Sequence, residues 1–402
     1  MTEEAGRRGA ALALGLVVAA GLVNYVDRVT LSVAGPAIAA ELRLRPGQLG
    51  VLLSAFLWAY AAAQVPVGAL IDRFRPKRLL AAALVLWSAA QAATSAAAGL
   101  PQLIAARLAL GVGEAPQFPV GARVVRGWFA PEDRGLATGV FNSVSTLGPA
   151  LAPPLVAALI VWVGWRGAFV ATGIAGLAVA VVWLALFRDP PATSDSPPGR
   201  ASWAALVRSP TLWAMALGNA GSGYMNWFYA AWLPGYLMTE RHLTLPQTGW
   251  AASIPYLFGF AGSLSGGFAC DRLAAAGLSP ILSRKAPIVA GLVVGAAFTG
   301  LVILAPTSGW AVAEIAVALF FANAAGAAIW ALAVAAAPPD GVASVGAAQN
   351  VGGLMGGALA PIVTGFSVEV THSFAAALAT TALAALAGAA IYALGVRRPI
   401  RV

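Results

Sequence analysis

Two pairs of ionisable residues stand where a chain would normally tolerate none. Asp27 and Arg28 are neighbours in one long apolar run, and Arg107 and Glu114 lie seven residues apart in another. Arginine keeps its charge under all ordinary conditions and presents a planar fork of donors that matches a carboxylate. A carboxyl group can instead gain or lose a proton. Burial and a nearby arginine act on that proton in opposite senses, so a change of surroundings can load or release it. The combination is suited to holding an organic anion with the arginines and carrying protons on Asp27 and Glu114. A charge at a bilayer centre costs at least about 2.5–3.5 kcal/mol, so such residues pair with one another, face water or take part in function.

These residues need helices to position them. Seven residues make almost two α-helical turns, so Arg107 and Glu114 share one face at a separation of about 10.5 Å. Asp27 and Arg28 point about 100° apart on their helix. Asp27 can therefore pair with Arg28 locally or with Arg107 across the bundle. Arg28 and Arg107 can bind substrate or be neutralised mainly by Asp27 and Glu114. Pro116 and Pro119 follow Glu114 and remove backbone donors, leaving the Val112 and Ala115 carbonyls free and favouring a kink there.

Composition agrees with a membrane setting. Of 402 residues 60% are hydrophobic and 10% charged, against roughly 25% charged in soluble domains. The apolar residues fall into twelve runs of about 20, the length that spans a hydrocarbon core; the first covers about 10 to 37 and the fourth about 101 to 126. The net charge of +9 arises from clusters between runs rather than a basic-aromatic surface, which argues against nucleic acid. Arg73, Arg75, Lys77, Arg78, Arg123, Arg126, Arg134, Arg284, Lys285 and the basic C-terminus fall on one side. Only Arg43, Arg45, Arg166 and Arg241 fall on the other. This bias predicts cytoplasmic termini. The apolar stretch after Arg7 and Arg8 continues into Asn24 without a small-residue cleavage site, so a retained first helix is expected. A single cysteine, Cys270, excludes an intrachain disulfide framework. It reads as a small core residue near a helix end, and His242 and His372 read as loop or cap residues. No metal or cofactor site is expected.

Arg188 to Ser209 is rich in proline, serine and aspartate and reads as a linker. It predicts an N-terminal six-helix bundle over 1–187, a linker over 188–209 and a C-terminal six-helix bundle over 210–402. The halves repeat: Gly50 to Phe74, with Asp72-Arg73, aligns with the segment from Thr248 that reaches Asp271-Arg272, and Ala-Pro153-Pro154 meets Ala360-Pro361. A repeat of the same orientation is a transporter signature, with substrate near the midplane. Gly352, Gly353, Gly356 and Gly357 allow a close helix approach. Tyr25 and Tyr60 can donate to substrate oxygens, and Tyr229, Trp232 and Gln349 are further pocket candidates.

The segment Gly68-Ala-Leu-Ile-Asp72-Arg73-Phe74-Arg75-Pro76-Lys77-Arg78 resembles the loop between helices two and three of the major facilitator superfamily. The resemblance implies an all-α polytopic membrane protein of twelve transmembrane helices in two six-helix bundles, working by alternating access. It also implies a cytoplasmic gate of ion pairs involving Asp72, Arg73, Arg78 and Arg134. Arg75 stands where that superfamily more often has glycine. A closer resemblance, to the anion:cation symporter family of hexuronate, galactonate and glucarate transporters, rests on several segments. These are Asn24-Tyr25-Val26-Asp27-Arg28, Trp58-Ala-Tyr60, Arg107-x6-Glu114-Ala-Pro116, Trp128-x5-Arg134-Gly, Trp330 and Asn350-Val-Gly-Gly. It implies symport of a small organic anion with protons through the inner membrane. It also implies that Trp330 and Asn350 contact substrate from the second half, and that Ser145 replaces a longer amide found in some sugar-acid carriers. One bundle pair is mechanically complete as a monomer. An anion exchanger or exporter without proton coupling is the alternative. A static salt-bridge network between helices one and four is the structural one. No phosphate loop, ligand cluster or nucleophile–base arrangement supports an enzyme.

Overall fold

The computed structural model describes residues 3–189 and 203–400, apart from the side chains of 3–7, 65, 69, 72 and 339. The expected gate residue Asp72 and most of the expected linker, residues 190–202, lie outside that part. The described residues contain α-helices and short 3₁₀ turns and no strand. The helices are α1 (Glu3–Leu42), α2 (Pro46–Arg73), α3 (Pro76–Ala93), α4 (Leu100–Glu114), α5 (Gln117–Trp128), α6 (Arg134–Asn142) and α7 (Val144–Leu186). They continue with α8 (Trp203–Leu206), α9 (Pro210–Thr239), α10 (Leu245–Ala275), α11 (Leu282–Leu301), α12 (Ser308–Ala336), α13 (Val342–Thr371) and α14 (Ala375–Gly395).

Among the described residues, twelve membrane passages follow from these elements, in two bundles of six. Eight helical stretches there are long and apolar enough to cross a bilayer. The longest, Arg134–Leu186, is two passages, because Gly164 at φ 71°, ψ 170° interrupts it. That backbone region is open essentially to glycine alone. The fourth passage, expected as one run, is α4 followed by α5. Pro116 and Pro119 lack the donors that would carry the hydrogen-bond ladder past Glu114, so the regular helix stops there and resumes at Gln117. The fifth run is likewise interrupted, at Ser143. The seventh and eighth passages, α9 and α10, carry Asn219, Asn226, Gln247 and Ser253, whose polarity lowers their hydropathy.

The internal repeat reaches backbone detail. Arg43 after α1 and His242 after α9 are both left-handed, at φ 51° and 55°. In the next turn Gln48 Oε1 accepts from Arg45 N, and Gln247 Oε1 accepts from Thr244 N, both at 2.9 Å. The same turn thus launches the second helix of each half. His372 is the left-handed cap of α13, and Cys270 is buried in the core near the end of α10.

By contacts the chain forms two compact units, Met1–Leu44 with Ala55–Asp195, and Arg45–Ser54 with Ser196–Val402. In the first, α1 and α3 pack on α7, and α4 packs on α3. In the second, α9 lies between α13 and α14, and α12 between α10 and α11. Met215, Ile288, Leu292, Leu332 and Tyr392 form a fully buried core there, and Tyr392 Oη donates to the Met215 carbonyl at 3.2 Å. The first turns of α2 are seated on α13, where Gly47 N donates to Glu369 Oε2 at 2.9 Å and Ser54 Oγ to the Ala358 carbonyl.

The α9–α13 contact is backbone against backbone. A Cβ at Gly352 would fall on the Ala216 carbonyl, and one at Gly356 on that of Ala220. Nothing at either point can move without shifting a helix. Gly356→Leu is therefore expected to leave almost no monodisperse protein after extraction, while Leu359→Ala, on an exposed face of the same helix, behaves as wild type; size-exclusion profiles of the two compare directly.

Candidate functional site

All four ionisable residues of the sequence pattern come together within the first unit. Glu114 ends α4 and is fully buried; its Oε2 accepts from Arg28 Nε of α1 at 2.7 Å, with the arginine side chain 10% exposed. Asp27, on the adjacent face of α1, is also fully buried, and Arg107 is 2% exposed. Arg107 does not clamp the Asp27 carboxylate: its Nη1 approaches the Asp27 main-chain carbonyl, at 3.5 Å. The pairing left open by the sequence is thus resolved as Arg28 with Glu114 across the bundle. Asp27 and Arg107 are placed close enough to act on one another's charge.

Aromatic rings enclose both cations. The Arg28 guanidinium carbon lies 5.0, 4.8 and 5.1 Å from the ring centroids of Tyr25, Phe56 and Tyr60. Phe56 and Tyr60, one turn apart on α2, are stacked at 5.6 Å. Arg107 lies 5.4 Å from the Phe169 centroid. Each such contact stabilises a desolvated cation by on the order of 1–2 kcal/mol. These walls also exclude competing donors and acceptors, leaving much of the polar capacity unspent. Arg28 Nη2, Arg107 Nε and Nη2, Glu114 Oε1, both Asp27 carboxylate oxygens and both amide atoms of Asn24 are buried without a hydrogen-bond partner. Asn24 lies beside Glu114 and Thr172 beside Asp27, but neither completes a bond of acceptable geometry. Thr172 instead donates to the Phe169 carbonyl at 3.3 Å and accepts from Gln91 Nε2 at 3.0 Å. Buried polar groups are almost always satisfied, so this concentration of unsatisfied ones is unusual.

Of the remaining sequence candidates, Ser145 is half-buried beside Tyr25 and donates to the Asn142 carbonyl at 2.7 Å. Within the second unit, Trp330 is 55% exposed on α12 and Asn350 is half-buried on α13. Gln349 is buried and donates to the Ile329 carbonyl at 3.1 Å, tying α13 to α12. The Tyr229 hydroxyl is 2.9 Å from Thr299 Oγ1, and Trp232 Nε1 donates to the Pro361 carbonyl at 3.2 Å. Of the expected gate residues, Arg73 and Arg78 are exposed. Arg134 donates to the Phe129 and Arg126 carbonyls at 3.1 and 2.9 Å, closing the end of α5. Arg123 also binds the end of α2, through the Ile71 and Phe74 carbonyls.

Sequence reasoning gave no site role to Phe56, Phe169 or Thr172, held Asn24 only as part of a family motif and counted Arg123 only among the basic residues of one side. Phe56 was detectable as the residue one turn before Tyr60. Phe169 is one apolar residue among many in α7 and gives no local signal. No group of metal-ligating residues occurs among the described residues.

Residues 17–361 match the family model of the Major Facilitator Superfamily. The chain is 40% identical over 402 residues to a probable L-galactonate transporter of Escherichia coli K12, covering 96% of this chain and 89% of the relative. It is 32% identical to a probable galactarate/D-glucarate transporter of the same strain, covering 92% and 90%, and 31% identical to a hexuronate transporter of Bacillus subtilis, covering 89% and 88%. In fold it is similar to a bacterial homolog of the human lysosomal transporter Spinster, solved in an inward-facing and occupied conformation. That similarity has a TM-score of 0.84 at 19% identity, covering 96% of this chain and 97% of the other. These relatives are transporters rather than enzymes. The chain belongs to the major facilitator superfamily and is a multi-pass membrane protein of its transporter class.

Proposed function

We propose that the protein is a secondary active transporter that moves a small organic anion, a sugar acid or related carboxylate, together with protons by alternating access. The observation that carries this is the Arg28–Glu114 ion pair, which lies within the first bundle with Glu114 fully buried and unspent donors around it. A substrate carboxylate and the Glu114 carboxylate compete for one guanidinium. Protonating Glu114 removes its charge and loosens its hold on Arg28, whose Nε and Nη2 then present a two-donor fork to the substrate. Arg107, with two unbonded nitrogens, supplies further positive charge. Deprotonation restores the ion pair and expels the anion. Asp27, next to Arg28 and within electrostatic reach of Arg107, links the two events. Tyr25 and Tyr60 offer hydroxyls to substrate oxygens, with Trp330, Asn350, Ser145, Tyr229 and Gln349 as further contacts.

The names of the relatives support a sugar acid as substrate, and the distribution of arginine and lysine supports cytoplasmic termini in an inner, plasma membrane. The working unit is a monomer with bundles over 1–187 and 210–402 joined by a linker. In its gate, Asp72, Arg73, Arg78 and Arg134 make and break ion pairs at the cytoplasmic helix ends. Proteoliposome uptake of sugar acids, dicarboxylates and aromatic acids, with and without an inwardly directed proton gradient, tests the proposal. A sugar acid should accumulate only when the proton gradient is imposed. Counterflow that is indifferent to pH, with no gradient-driven accumulation of any acid, would instead establish exchange.

A further inference from the structure

At the end of the second unit where α9 begins and α14 finishes lies a cavity of about 310 Å³. The junction of α8 and α9 contributes Arg208, Ser209 and Thr211, and the C-terminal segment contributes Arg398 and Pro399. Both sides are held by their backbones. Leu206 and Ile400 are buried in the core of the unit. Ile400 N donates to the Ala336 carbonyl at 2.8 Å, and Thr211 Oγ1 to the Arg398 carbonyl at 3.2 Å. The two arginine side chains are exposed, and among the described residues neither guanidinium has a hydrogen bond or ion pair. Two unpaired cations are thus fixed at one concave site rather than scattered on a solvated face.

The segments that flank the lining residues in sequence expose large apolar side chains. Trp203 and Trp213 are each 52% exposed and Val207 44%. Trp213 Nε1 donates to the Val207 carbonyl at 2.8 Å, which pins one indole against the turn that follows α8. Exposed indoles at the ends of membrane passages mark the depth of lipid headgroups. Guanidinium forks suit phosphate oxygens in particular, and basic pockets at helix ends hold anionic headgroups. We propose that this cavity binds the phosphodiester headgroup of an anionic phospholipid. Arg208 and Arg398 grip the phosphate, and Trp203, Trp213 and Val207 seat the adjoining glycerol and acyl region. The apolar seat favours a lipid over a free inorganic anion.

Native mass spectrometry of the full-length protein, released from mixed micelles containing either phosphatidylglycerol or phosphatidylcholine, tests this. Phosphatidylglycerol should be retained selectively, and the Arg208→Gln/Arg398→Gln variant should retain it at least about tenfold less well, given the contribution of each basic residue near a charged headgroup. Arg208→Lys/Arg398→Lys should keep most of the retention, and Trp203→Ala should lose part of it. Should the double glutamine variant fail to fold, either single variant reads the same effect in reduced form. Equal retention of both lipids, or retention unchanged by the glutamine substitutions, overturns the proposal. Thermal protection by inorganic phosphate at concentrations matching those of phosphatidylglycerol overturns it in favour of a free-anion site.

Discussion

Arg28→Lys is expected to lower uptake at subsaturating substrate by on the order of a hundredfold, although the charge is kept. Lysine is a point charge without the planar fork, so it cannot hold Glu114 and turn the same geometry toward a substrate carboxylate. The cage of Tyr25, Phe56 and Tyr60 is spaced for a flat guanidinium, with all three centroids within about 5 Å. Arg28→Ala should be worse, because it leaves the Glu114 carboxylate buried and unpaired. Breaking a buried ion pair by removing one partner costs about 3–5 kcal/mol, enough to lose folded protein as well as transport. Initial rates in proteoliposomes, normalised to monodisperse protein, separate the two effects. Wild-type rates in the lysine variant would show that Arg28 serves only as a counter-charge.

Glu114→Gln should uncouple the protein rather than silence it. The amide keeps the shape of the side chain but carries no proton and no charge, so Arg28 stands permanently released. Substrate binding and counterflow should survive, with weak dependence on pH, while gradient-driven accumulation falls toward unity. A gradient of one pH unit supplies about 1.4 kcal/mol per proton, or tenfold accumulation for one-to-one coupling; that factor is what the variant should lose. In wild type the sign is fixed by the competition for Arg28. Acidifying the side from which substrate is loaded removes the rival carboxylate and favours loading, and alkaline conditions favour release. Undiminished proton-driven accumulation in Glu114→Gln would move the coupling role to Asp27.

The features legible in the sequence were those governed by local rules. Run length and the cost of buried charge gave the class of fold and picked out Asp27, Arg28, Arg107 and Glu114. Spacing placed Arg107 and Glu114 on one face, and Pro116 and Pro119 marked the interruption that the backbone shows after Glu114. The partner of each charge was not legible. It depends on how α1 is rotated against α4, and that rotation is set by packing spread over many apolar residues. Phe169 escaped for the same reason, since nothing in its helix distinguishes the ring that meets Arg107 from those that meet lipid. At the helix ends, a positive cluster announces itself without saying which arginine is bound. Arg123 holds the end of α2 through main-chain carbonyls, and carbonyls carry no sequence signal.

The buried ionic cluster also bears on how the protein is made. Two acids and two arginines on α1 and α4 sum to zero charge, and all four lie within the first compact unit. The N-terminal helices can therefore settle their electrostatics among themselves as they leave the ribosome, before any residue of the second half has been synthesised. A bundle that had to wait for a distant counter-ion would hold naked charges in lipid for as long as elongation took. At about 5–20 residues per second, the roughly 200 residues still to come would take some tens of seconds. Self-neutralisation makes the first half a membrane intermediate that can survive that interval.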